Sequence, residues 1–470
     1  MKVQAVEFRR RLLLLGFGCI GQGVLPLLLR HIAMRPKQIL IISAHDTDRP
    51  VADLYGVSFL ALAITQDNFQ TKLASQLEQG DILLNLSVGV SSLALIALCR
   101  VKGVLYLDTC IEPWSGVLLN EAVPIQARTN YAQRESVLAM RSPARDGPTA
   151  VVAHGANPGL ISHFLKQALL NVARDTGLEV PRPHKRIEWA QMACKLGIRA
   201  IHIAERDTQS PAVPRHAGKF INTWSVSAFI DEACQPSELG WGSHERGFPV
   251  DGLQHTSGSC AAIYLNRPGA STMVLTWTPA GGPMLGYLIT HAESISIAEY
   301  FTQYDGENVL YRPTVHYAYR PCDDAVLSLM ELADRNWQNL SQGHILKDDI
   351  IQGVDALGVL IMGHQRVSYW YGSQLSIQQA RELCPHNSAT SLQIASGVMA
   401  GVVWAIKNPA RDIVEPDELP FDEIMEISKP YLGNVEGFYT DWTPLAGRCS
   451  RFVEDTAADD PWQFTNFRVA

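Results

Sequence analysis

Residues Arg11–Gly23 read RLLLLGFGCIGQG, and this stretch decides the fold. A basic residue followed by four leucines reads as a short buried strand, and Gly16, Gly18 and Gly21 then fall at the spacing G-x-G-x-x-G. Each glycine has a separate task in a dinucleotide-binding turn. Gly16 allows the tight turn off the strand, Gly18 lets the backbone approach a pyrophosphate, and Gly21 lets the following helix sit close to the strand. The phosphates would rest on free N–H groups at the helix N-terminus, where Cys19 and Ile20 contribute backbone rather than side chain. A lone glycine pattern is weak evidence. This one follows an apolar strand and precedes an apolar helix, as the mechanism requires.

Working outward, residues 22–30 form a leucine-rich helix that contains Pro26, and the missing backbone donor there is expected to bend it. Residues 38–43, QILIIS, form the second strand, and the loop beyond it carries Asp46 and Asp48. A carboxylate at this place accepts from the ribose hydroxyls of NAD and repels the extra phosphate of NADP. Asp46 is the first choice. It lies 25 positions after Gly21, a little beyond the usual spacing of about 20, so Asp48 stays open. Further strands are expected at 81–86, 103–108 and 149–153, with helices at 68–77, 90–100 and 160–170 between and after them. This alternation means a Rossmann-type, doubly wound parallel sheet. Ligands of such sheets sit beyond the carboxyl ends of the strands, so Asn85, Leu86, Ser87, Thr109 and Asn157 are expected to flank the nicotinamide half of the cofactor.

At 470 residues the chain is expected to hold two or three domains of about 150 residues each. Composition shifts at 174–186, and from residue 187 to about 371 short runs rich in Val, Ile, Thr, Tyr and Trp alternate with Gly/Pro turns. These predict a second, α+β domain with a mixed sheet. Residues 389–406 read as a long small-residue helix, too apolar to stand alone, that packs back on the first domain. No apolar run approaches the roughly 18 residues of a membrane span, so no membrane association is expected. Net charge is −8, which argues against nucleic acid and suits a cationic small molecule. The nine cysteines include no C-x-x-C pair, so neither a zinc site nor a disulfide framework is indicated, and a reducing, cytoplasmic compartment is expected.

One set of motifs is more specific. GFGCIGQGVLPLLLRH, DTCIEPW, HGANPGLIS, IAERDTQ, NTWSVSAFIDEA, ITHAES and the stretch 391–424 together resemble the bacterial homospermidine synthases, within the saccharopine dehydrogenase-like superfamily. The likeness covers nearly the whole chain, although G-A-N-P-G alone points only to the superfamily. It implies an NAD-binding domain over 1–160, a substrate-binding and dimerisation domain over 161–385, and a C-terminal helix and tail over 386–470 that return to the first domain. It also implies a homodimer that acts on putrescine and other polyamines, with NAD recycled within each turnover.

Residue by residue, the resemblance places Glu205 nearest the reacting centre, Glu232 on an amino end and Glu112 beside the nicotinamide. Which carboxylate holds which amine stays open. Trp224 matches the tryptophan that faces the cationic substrate and imine, where an indole attracts a cation without adding charge. Asn157 offers an amide at the junction of cofactor and substrate. An ordinary histidine titrates in a range suited to proton relay, which makes His291 a candidate for that role, whereas His154 either lines the site or caps its turn. An amino-acid oxidoreductase of the same superfamily is the alternative, and its substrate carboxylates would call for Arg or Lys clamps. A dinucleotide-sensing scaffold is a third reading, in which Glu205 and Trp224 lie far from the dinucleotide pocket.

Overall fold

The computed structural model describes residues 5–448, 454 and 456–469; Cys449 and parts of the C-terminal tail lie outside them. Six strands, Leu12–Leu15 (β1), Ile39–Ser43 (β2), Ser58–Ala61 (β3), Ile82–Asn85 (β4), Leu105–Asp108 (β5) and Ala150–Val151 (β6), lie side by side in the order β3–β2–β1–β4–β5–β6. All neighbouring pairs are parallel. A parallel sheet is covered on both faces, which is why its strands read as unbroken apolar runs; the four leucines of β1 are at most 2% exposed. Strand order reverses between β1 and β4. The loops leaving these two strands diverge there and open a crevice at the carboxyl edge.

The glycine turn sits at this point. Gly16 has φ +87°, and a Cβ on it would come within 2.7 Å of the Leu86–Ser87 backbone. A Cβ on Gly18 would meet nothing within 4 Å, whereas one on Gly21 would press on the Gly16 carbonyl at 2.9 Å. These are the three conditions the motif predicts: a turn, an open approach and a close helix. Helix α1 (Cys19–His31) runs through Pro26 as one helix. The helix expected at 68–77 covers only Phe69–Ala74, and the one expected at 90–100 is Ser92–Lys102 (α2), capped by Ser91. Strand β6 is shorter than expected. Asp108 draws the chain out of the sheet by accepting from Ala153 N at 2.6 Å through its carboxylate and from His154 N at 2.8 Å through its carbonyl.

The larger sheet has eleven strands. Along its main path Pro236–Gly240 (β8), Thr314–Arg320 (β9), Ala200–Asp207 (β7), Val354–His364 (β10), Val367–Ser376 (β11) and Asn434–Thr440 (β12) lie next to one another in that order. Strands β7 and β9 pair in parallel and the others along this path antiparallel, so the sheet is mixed. Side chains alternate between its faces. Ile201, Ile203, Leu357 and Val359 join a core that continues into the first domain, while Ala200, Ala204, Ala356 and Leu360 belong to the core on the far side. Three helices bear on the site: Leu160–Asp175 (α3), Val226–Cys234 (α4) and Ala292–Tyr300 (α5).

Helix Ala389–Lys407 (α6) corrects one expectation. Its 19 residues are long and apolar enough to cross a membrane, but the helix is almost wholly buried inside the protein. Its residues join the core that the two domains share, and a Cβ on Gly397 would strike the Gly155 carbonyl at 2.1 Å. The tail is a second correction. Residues 413–414 do extend the first sheet beside β6, but β12 pairs with β11, and Arg468–Val469 pairs with Met273–Thr278. An unpaired edge exposes a row of backbone donors and acceptors; β12 covers that of β11.

Candidate active site

The carboxyl edge of the first sheet and the facing surface of the larger one enclose a cavity of about 940 Å³, its mouth included. Ile20, Asn85, Leu86, Ser87, Thr109, Glu112 and Asn157 line it from the first domain, and Glu205, Trp224, Glu232 and His291 from the second. The cofactor-flanking, substrate-binding and catalytic candidates thus meet in one place. Gly16, Gly18, Cys19 and Gly21 form the adjoining turn. Asp46 lies apart, exposed and paired with Arg49 at 2.7 Å, while Asp48 stands at the N-cap of the short helix Arg49–Leu54. His154 does not line the cavity; it is buried with its Nε2 3.2 Å from that of His163. Thr390, Gln393 and Ile394 of α6 complete the wall.

Glu205 stands on β7 beside Tyr319 of β9. Tyr317, two residues earlier on the same face, donates a short hydrogen bond from its hydroxyl to Glu205. Burial, helped by the negative charge of Asp207, pushes the Glu205 carboxyl up to about 7, against the pull of the Tyr317 hydroxyl. Burial likewise raises Glu112 to about 7, opposed by a 3.4 Å bond from the Gly89 N–H. Glu232 is held well above the usual carboxylate range by burial and by the negative charges of Glu112, Asp231 and Glu205. Three carboxyls so placed resist ionising together. A cation entering among them relieves both their desolvation and their mutual repulsion.

The other groups are nearly neutral but polar. Trp224 donates from Nε1 to the Tyr319 hydroxyl at 3.3 Å, and its ring leans on Phe229 with centroids 5.4 Å apart. This fixes the indole in the cavity wall. His291, the N-cap of α5, is 5% exposed, and burial lowers it to about 3, so its imidazole stays neutral at pH 7 and the proton relay expected of it gives way to a neutral polar role. Its Nδ1 and both amide atoms of Asn157 are buried with no hydrogen-bond partner among the described residues. Buried polar atoms rarely stay unpaired, so these three are free for a ligand.

Tyr317 was not among the expected site residues. Its sequence signal is the two-residue period of VHYAYR, which puts Tyr317 and Tyr319 on one face; that this face meets Glu205 depends on a parallel pairing 112 residues away. The cavity lining contains neither Arg nor Lys among the described residues.

The family models named Saccharopine dehydrogenase NADP binding domain and Saccharopine dehydrogenase C-terminal domain match residues 12–151 and 155–439. A homospermidine synthase from Blastochloris viridis is 48% identical over 462 residues, covering 97% of each chain. One from Mesorhizobium japonicum is 46% identical over 470 residues, covering 98% of this chain and 97% of its own. The chain belongs to the homospermidine synthase family. The solved structure of the homospermidine synthase of Legionella pneumophila, in complex with NAD, superposes with a TM-score of 0.93 at 48% identity over 99% of each chain. A saccharopine dehydrogenase from Saccharomyces cerevisiae, at 10% identity and a TM-score of 0.51, shares the fold.

Proposed function

We propose that this protein is an NAD-dependent homospermidine synthase that joins two putrescines and releases ammonia, and that also takes spermidine as aminobutyl donor with release of diaminopropane. The observation that carries this reading is the cavity wall: three carboxyls, an indole and no cationic side chain among the described residues. A diamine is a dication at neutral pH, and such a wall suits it. An amino-acid substrate would leave its own carboxylate without a clamp.

Bound NAD supplies the chemistry of accepting a hydride from the first diamine and returning it to the new imine. Glu205 takes the proton that makes the reacting amine neutral, since its carboxyl titrates near neutrality. Glu112 and Glu232 hold the ammonium at the other end. The Trp224 face favours the positively charged iminium through which ammonia leaves and the second amine enters. The Asn157 amide and the His291 Nδ1 orient the reacting nitrogen with their free polar atoms. Atoms balance as two putrescines giving one homospermidine and one ammonia, with no net oxidation.

Asp46 is our assignment for the adenosine ribose, with Asp48 as the alternative. The eight cysteines among the described residues are free, which supports a reducing, cytoplasmic setting. The working form we propose is a homodimer through the second domain; light scattering on the purified protein measures it. The deciding experiment is incubation with putrescine and a catalytic amount of NAD, followed by product analysis. Homospermidine and ammonia in equal amounts, far exceeding the NAD added, are expected. Absence of both overturns the proposal, and steady accumulation of NADH instead favours an ordinary oxidoreductase.

A further inference from the structure

The glycine turn offers backbone N–H groups to a pyrophosphate, but α1 carries no charged side chain before Arg30. A cation reaches the turn from the other domain. Gln22, in the second turn of α1, is 5% exposed, and its side chain folds back so that Nε2 donates to the Phe17 carbonyl at 3.2 Å, between Gly16 and Gly18. The other end of the same amide, Oε1, accepts from Lys347 Nζ at 3.3 Å. Among the described residues this is the only hydrogen bond of the ammonium, and Lys347 has no ion pair. Of the two acids that follow it, Asp349 accepts from His344 at 2.6 Å and from the Lys347 backbone N–H at 2.8 Å, and Asp348 is exposed and makes no ion pair with Lys347.

The loop that presents Lys347 is held firmly. Arg381 donates to the carbonyls of Lys347 at 3.0 Å and Ile350 at 2.9 Å. Its helix, Ile377–Leu383, leads straight into Cys384 and Asn387, and the Asn387 amide donates to the Gly23 carbonyl of α1 at 3.2 Å. Lys347 is therefore carried on a segment fastened at one end to the helix whose N-terminus binds phosphate. A half-buried ammonium with one neutral partner, one side chain away from that turn, is an anion-binding group awaiting its anion.

We infer that Lys347 is a cofactor-binding residue: its ammonium pairs with the dinucleotide pyrophosphate across the domain boundary and slows release of the cofactor. This rests on the proposed NAD reading and adds to it a reason for retention, since a cofactor that must accept and then return one hydride has to stay through both halves of the reaction.

The test is equilibrium and stopped-flow binding of NAD, ADP-ribose and adenosine to the full-length wild type, Lys347→Ala and Lys347→Arg. The one hydrogen bond of the Lys347 side chain among the described residues is to Gln22, and matching melting curves verify that Lys347→Ala folds. Its affinity for NAD and for ADP-ribose should fall about tenfold, mostly through faster dissociation, with a smaller salt dependence. Adenosine, which lacks phosphate, should bind all three proteins alike, and Lys347→Arg should recover most of the loss. Unchanged NAD affinity and dissociation in Lys347→Ala overturn the inference while leaving the cofactor reading intact. A wild type that binds no NAD overturns both.

Discussion

The pair Glu205 and Tyr317 makes a pH-dependent claim at the scale of single residues. As a base Glu205 acts in its ionised form, so turnover should fall as pH drops through about 7. The Tyr317 hydroxyl favours that ionised form. Its removal in Tyr317→Phe should shift the acidic limb to higher pH by about one unit or more, since a hydrogen bond to a charge contributes about 1.5–3 kcal/mol; a pH–rate profile of homospermidine formation reads the shift. Trp224→Ala should lower turnover about 30-fold, for a cation–π contribution of about 2 kcal/mol in a dry site, with NAD affinity little changed by calorimetry. Equal losses in both would mean that the indole is only packing. Asp46→Ala should move the cofactor preference from NAD toward NADP, measured as the ratio of dissociation constants; an unchanged ratio would transfer the ribose role to Asp48. Glu112, Glu205 and Glu232 could be named from sequence because each sits in a local motif. Tyr317 could not, because its role depends on which strand lies beside β9.

Among the secondary-structure elements, the joint between α3 and α5 governs how well the site is held. Glu293, in the first turn of α5, accepts from the Gly159 N–H at 2.9 Å and the Ser162 N–H at 2.7 Å. One buried carboxyl group thus caps α3 and ties together two loops, each of which carries a free polar group, Asn157 on one and His291 on the other. Glu293→Ala should cost about 1–2 kcal/mol as a lost helix cap, seen as a lower melting temperature, and should reduce turnover more than NAD affinity. Strands β1, β2, β4 and β5 were legible because burial on both faces leaves a continuous apolar signature. Strand β6 was overestimated because the bonds to Asp108 that end it are tertiary. The cap by Glu293 left no local signal, since its partners lie more than 130 positions away.

Across the whole molecule, the core that begins under β1 continues through α1, α3 and α6 to the inner face of the larger sheet. The two domains should therefore unfold in one calorimetric transition, and NAD at 100 times its dissociation constant should add about 2.7 kcal/mol to the stability of the whole. Two transitions, only one of them moved by NAD, would contradict a shared core. Two domains and a mixed sheet were readable from composition. The path of the tail was not, because strand pairing at β12 is decided by which edge is vacant. Helix α6 also ties stability to the site. With Gly397 seated against Gly155 and Thr390 and Gln393 lining the cavity, the helix that fastens the two lobes together is also a wall of the site, so a substitution that loosens their packing at Gly397 should disturb that wall as well.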